Sequence, residues 1–130
     1  MAFIGGTSLA RDATKIDGVT CEAAAVTGDW VRMSGGVAVR ALADSITNSN
    51  VIGVIEEKIT STICTVRFLG ETLPLYVGLD ETKEYYLSPT LPGKMQVAPP
   101  TNPGEVVVKL GQPFSATEFL VLKGARYVRA

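Results

Sequence analysis

Short apolar runs cut by proline and glycine limit what this chain can fold into. From residue 85 the order is Tyr85-Tyr86-Leu87-Ser88-Pro89-Thr90-Leu91-Pro92-Gly93, then Ala98-Pro99-Pro100-Thr101-Asn102-Pro103-Gly104. It continues Glu105-Val106-Val107-Val108-Lys109-Leu110-Gly111-Gln112-Pro113 and reaches Glu118-Phe119-Leu120-Val121-Leu122. A proline inside a helix removes a donor and clashes with the preceding turn, whereas between strands it simply marks a turn. Such a stretch predicts short strands joined by tight turns.

The same grammar holds upstream. Asp29-Trp30-Val31-Arg32-Met33 alternates up to Ser34-Gly35-Gly36, and Val37-Ala38-Val39-Arg40-Ala41 alternates after it, which predicts a β-hairpin. Residues 43–50 form a polar loop with room for one helical turn, and Val51-Ile52-Gly53-Val54-Ile55 predicts a strand with a bulge or close packing at Gly53. Further strands are expected at Thr62–Leu69, Leu73–Val77, Tyr85–Leu87, Glu105–Leu110 and Glu118–Leu122. No window of helical length carries an apolar stripe of period 3.6. About eight strands at roughly 8–12-residue spacing predict an all-β fold, and so much glycine favours a small antiparallel β-barrel over a flat sandwich.

The expected organisation is an irregular N-terminal arm over residues 1–27, the β-barrel over 28–122 and a short C-terminal tail over 123–130. The arm is either a segment ordered by packing on another chain or an edge strand and loop of the same domain. The tail, Lys123-Gly124-Ala125-Arg126-Tyr127-Val128-Arg129-Ala130, combines three cations with one aromatic and is either a frayed, solvated end or a segment that docks on a neighbouring subunit.

With 46% apolar and 19% charged residues the composition is that of a folded chain. Five cations face seven acids in residues 1–65, and seven face six in residues 66–130, so neither half has the cationic excess that nucleic acid demands. No membrane-spanning run and no signal-peptide pattern is present, so a soluble protein made in a cytoplasm is expected. Cys21 and Cys64 form no CxxC pair; Cys64 reads as a buried apolar residue, and a Cys21–Cys64 bridge stays open.

Catalytic patterns are missing. The chain has no histidine, no Ser-x-x-Lys spacing and no phosphate-cradling glycine loop, so an enzyme is not expected. Glu56 and Glu57 should point to opposite faces of a solvated strand end. Asp80, Glu81 and Glu84 lack the EF-hand spacing, and no metal or cofactor is expected. Trp30 should be core. Of the neighbours Tyr85 and Tyr86, one should face in and the other out, and Tyr76, Tyr85 and Tyr86 are the one aromatic cluster that a small-ligand or carbohydrate cleft could use.

Two segments resemble bacteriophage virion proteins. The order Gly28-Asp29-Trp30-Val31, glycine turn, Ala41-Leu42-Ala43-Asp44, Val51-Ile52-Gly53-Val54 resembles a pattern of small phage virion proteins. Tyr85-Tyr86-Leu87-Ser88, Pro92-Gly93, Pro99-Pro100, Gly104, Val106-Val107-Val108, Gly111 and Phe114–Leu120 resemble a segment of phage fibre and capsid-decoration proteins. The likeness covers roughly residues 28–122 and has no counterpart for residues 1–27.

Membership of the decoration, or cement, family would imply a small β-barrel that assembles as a homotrimer on the capsid exterior. Such a protein, assembled in the host cytoplasm, binds between capsomers of the major capsid protein after the shell expands. The contact residues expected between subunits are Phe3, Ile4 and Arg11 of the arm, Tyr85 and Tyr86, and Lys123, Arg126, Tyr127 and Arg129 of the tail. A tail or fibre attachment module and a small carbohydrate-binding barrel are the alternatives.

Overall fold

Alternation along two neighbouring strands gives the chain two cores. In the computed structural model, which describes residues 14–130, Trp30–Ser34 (β2) and Val37–Arg40 (β3) form the expected hairpin. Gly35 and Gly36 have φ of 59° and 81°, the positive values that a two-residue turn of this hand requires at both centres. Lys15–Thr20 (β1), Gly53–Thr60 (β4) and Ile63–Arg67 (β5) join them in one antiparallel sheet of order β1-β5-β4-β2-β3.

The second half builds another antiparallel sheet. Its strands are Gly70–Glu71 (β6), Tyr85–Leu87 (β7), Met95–Gln96 (β8), Val106–Pro113 (β9), Phe119–Val121 (β10) and Arg126–Val128 (β11). The order is β6-β10-β9-β7-β8, with β11 also on β9. The described residues contain no helix, and the fold is all-β as expected.

Among the described residues no ladder closes either sheet into a barrel. The first sheet curls until its ends meet, but only at one isolated parallel bridge between Cys21 and Ala38. The reason is parity. Four successive antiparallel pairings leave β1 and β3 pointing the same way, so a five-stranded ring cannot be antiparallel throughout.

Trp30 and Val54 face the second sheet, in a cluster with Leu87, Val106, Val108, Leu110, Phe119 and Val121. Their chain neighbours Val31 and Ile55 face the other way, into a smaller cluster with Cys21, Ala25, Ala38, Cys64 and Val66. Strands β2 and β4 thus lie between two apolar layers, which is why Val51–Ile55 reads as an unbroken apolar run. Each fully buried large side chain contributes roughly 1.5–3 kcal/mol of transfer free energy. Gly53 is a close-packing point: a Cβ there would lie 2.3 Å from the Arg67 carbonyl oxygen.

Several segments differ from expectation. Leu73–Val77 is a loop, because after Thr72 donates its N–H to the Phe119 carbonyl the chain turns at Pro74, and the Leu75 and Tyr76 N–H groups both donate to Thr117 O. The polar loop does hold one helical turn, with Ser49 N donating to Ser45 O. The described part of residues 1–27 takes the edge-strand form, since β1 pairs with β5 from Lys15↔Arg67 to Thr20↔Ile63. The last residues are not a solvated end: β11 continues along β9, with Val128 opposite Val106.

Candidate interaction surface

The C-terminal cations are anchored before the exposed surface around them is set. Lys123 Nζ donates to the Val51 carbonyl at 2.7 Å, while the Arg126 guanidinium donates to Ile46 O and to Ser49 Oγ. These three bonds fasten the end of the second sheet to the loop that leads into β4. Arg129 N donates to Glu105 O, and Gly104 N donates to Arg129 O, so the backbone of the tail is also held. Between these anchors Tyr127 and Val128 are 55% and 49% exposed. Successive residues on a strand point to opposite faces, so both faces of β11 lie open. Among the described residues β11 pairs with β9 alone, which leaves its other edge without a ladder. An apolar edge strand of this kind is a template for pairing with another chain.

The tyrosines divide as strand alternation demands. Tyr85 is buried, its ring 5.9 Å from that of Phe119 and its hydroxyl accepting the Asp80 N–H at 3.0 Å, so it is not available as a subunit contact. Tyr86 is the outward, half-buried member. Tyr76 also packs on Phe119 and donates its hydroxyl to Gly28 O at 2.9 Å. Burial pushes this phenol far above its ordinary range, with the Asp29 charge adding and the Trp30 side chain opposing. Tyr85 is a core residue and Tyr76 is half-buried against that core, yet both line one groove of about 380 Å³ with Gly28, Leu79, Lys94 and Met95, so the three expected tyrosines are split between two grooves. A shallow groove of about 440 Å³ does lie beside Tyr86, lined by Glu81, Thr82, Glu84, Val97 and Gln112.

Phe3, Ile4 and Arg11 lie outside the described residues. Lys123, Arg126, Tyr127 and Arg129 are brought together on and beside β11, far in sequence from Tyr86 on β7.

The carboxylates corrected most are those of the paired glutamates. Glu57 is exposed, but Glu56 is 4% exposed and is not part of a solvated strand end. It receives Arg67 Nε at 2.6 Å and Nη2 at 3.1 Å, and the Leu73 N–H at 3.0 Å. Asp29, also buried, holds Lys94 at 2.6 Å and caps the Val26 N–H. Asp80 bonds its own turn through Thr82, while Glu84 pairs with Lys109, so the acidic group at 80–84 does not converge. Among the described residues no three His, Cys, Asp or Glu side chains gather as metal ligands. Glu71 and Glu118 are brought side by side by the β6–β10 pairing, and the neighbouring Glu118 carboxyl raises the Glu71 carboxyl above its usual range.

Cys21 and Cys64 are free thiols in the smaller core. Burial, together with the neighbouring Cys21, pushes Cys64 up to about 12, which makes it an inert packing residue.

Glu22 ties the loop after β1 to β3. Burial alone would raise its carboxyl, but bonds from the Arg40 N–H at 2.5 Å and the Arg40 guanidinium at 3.3 Å, with the Arg40 and Lys58 charges, hold it below the ordinary 4.5. A lowered folded value means the stabilisation is complete above pH 4.5 and is lost as pH falls through the folded value. Urea melts of Glu22→Gln are therefore expected to approach those of the native chain as pH drops below 4.5, and to lie below them at neutral pH.

Comparison with known proteins gives no match: no protein-family model, no curated protein and no solved structure aligns with the chain.

Proposed function

We propose that this is a bacteriophage virion structural protein of the capsid-decoration class. It assembles as a homotrimer, sits between capsomers on the outside of the head and cements them through the major capsid protein. The observation that carries this reading is β11: a strand fixed in place by Lys123 and Arg126, with one open edge and both faces exposed, is preformed for a protein partner. The curled first sheet, bridged at Cys21 and Ala38, is an open counterpart of the small barrel expected of such proteins, and the resemblance over residues 28–122 supports the same class. Tyr86, Tyr127 and Arg129 are the contact residues of choice. Binding that favours the expanded shell stabilises that shell by mass action, so many modest contacts suffice.

The shallow groove beside Tyr86 favours a second reading, a carbohydrate-binding module of a tail or fibre. Quantitative mass spectrometry of purified virions separates the two. About one copy per major capsid subunit supports decoration, a handful of copies per particle supports a tail or fibre, and absence from the particle overturns both.

A further inference from the structure

We infer that the open mouth of the first sheet is a docking site for residues 1–13 of the same chain. The mouth is an apolar groove of about 620 Å³. Ile16, Met33 and Phe68 form its rim, 51%, 42% and 38% exposed, while Val66 and Ile52 at its floor continue into the smaller core. A hydrophobic opening that leads into a core is a surface that a soluble chain gains by covering.

The described chain begins at this rim. Thr14 accepts the Phe68 N–H through its carbonyl at 3.0 Å, and Ile16, two residues on, lines the groove. The 13 residues before Thr14 therefore leave from the edge of the site itself. They carry Phe3, Ile4 and Leu9, with Gly5-Gly6 beside the first two to allow the chain to reverse. Thirteen residues reach up to about 43 Å when extended, more than enough to fold back over a groove that starts at their tether. A tether this short gives an effective concentration in the millimolar range, which favours the chain's own segment over that of a second copy. The inference does not depend on the capsid reading.

The test places the photoprobe p-benzoylphenylalanine at Met33 of the full chain, in a mixture of ¹⁵N-labelled and unlabelled protein. Irradiation is expected to link the Met33 peptide to the peptide 1–11 within chains of one isotope, and Phe3→Asp with Ile4→Asp is expected to abolish that link. Mixed-isotope links would assign the groove to a second copy and overturn the inference, as would links confined to other peptides. A second measurement needs no probe in the groove: the Phe3→Asp, Ile4→Asp chain should bind more of the dye ANS with its strand content unchanged. Dye binding equal to that of the native chain would also overturn the inference.

Discussion

Phe119→Ala is expected to lower the unfolding free energy by roughly 3–5 kcal/mol, read from urea midpoints with an unchanged denaturant slope. Phe119 is fully buried and is the point on which three rings converge, those of Trp30 at 5.5 Å, Tyr85 at 5.9 Å and Tyr76 at 6.2 Å, all edge to face. Removing it costs the transfer free energy of the ring, the cavity left behind, and the edge-to-face contacts, about 0.5–1.5 kcal/mol each beyond buried area. The rings come from both sheets and from the loop between β6 and β7, so no single element can collapse into the space. Against the 5–15 kcal/mol typical of a folded domain, the loss would leave the two sheets barely associated. A change below about 1 kcal/mol would show that the sheets do not depend on this contact.

Glu56→Ala is expected to cost a similar roughly 3–5 kcal/mol, because it removes the buried carboxylate that accepts two bonds from the Arg67 guanidinium. It also orphans the Leu73 N–H, which the carboxylate accepts at 3.0 Å just after β6, tying the first sheet to the start of the second. The double variant Glu56→Leu, Arg67→Met separates charge from shape, since replacing both ions by apolar groups is often neutral. Recovery of most of the loss in the double variant would identify the broken Glu56–Arg67 pairing as the cause. A double variant as unstable as Glu56→Ala would instead point to the Leu73 bond and to Arg67's donation to Thr14 Oγ1.

The hairpin at Gly35-Gly36, the burial of Trp30 and the packing of Gly53 were legible because each follows from a local rule: turn chemistry, alternation, the space a Cβ needs. Alternation likewise separated Tyr85 from Tyr86 and Glu56 from Glu57. What it could not supply was which face of a strand would be covered. For Glu56 that depends on a register shift between β4 and β5 at residues 55–57, a non-local property of two strands together. Leu73–Val77 has strand composition, but its N–H groups find Thr117, more than forty residues on, before any ladder can form. Barrel closure failed for the same kind of reason, since the parity of the strand order is invisible until the pairings are known. The tail read as a solvated end or a docking segment because three β-forming residues are too few to signal a strand, and the partner β9 supplies the order that they lack alone.

The two sheets divide the chain in sequence order, β1 to β5 before residue 68 and β6 to β11 after residue 69. During synthesis the first sheet can pair while the second is still in the ribosome. Its smaller core, around Val31 and Ile55, is complete at that stage except at the mouth. Its other face is not: Trp30, Val51 and Val54 wait for Phe119 and Val121, which emerge more than fifty residues later. At ordinary elongation rates of about 5–20 residues per second, this leaves a tryptophan-bearing apolar sheet uncovered for several seconds in every copy made. A protein produced in large numbers in one cell would reach its folded state through an intermediate that chaperones recognise, and crowding of nascent chains, not the stability of the finished fold, would limit its yield.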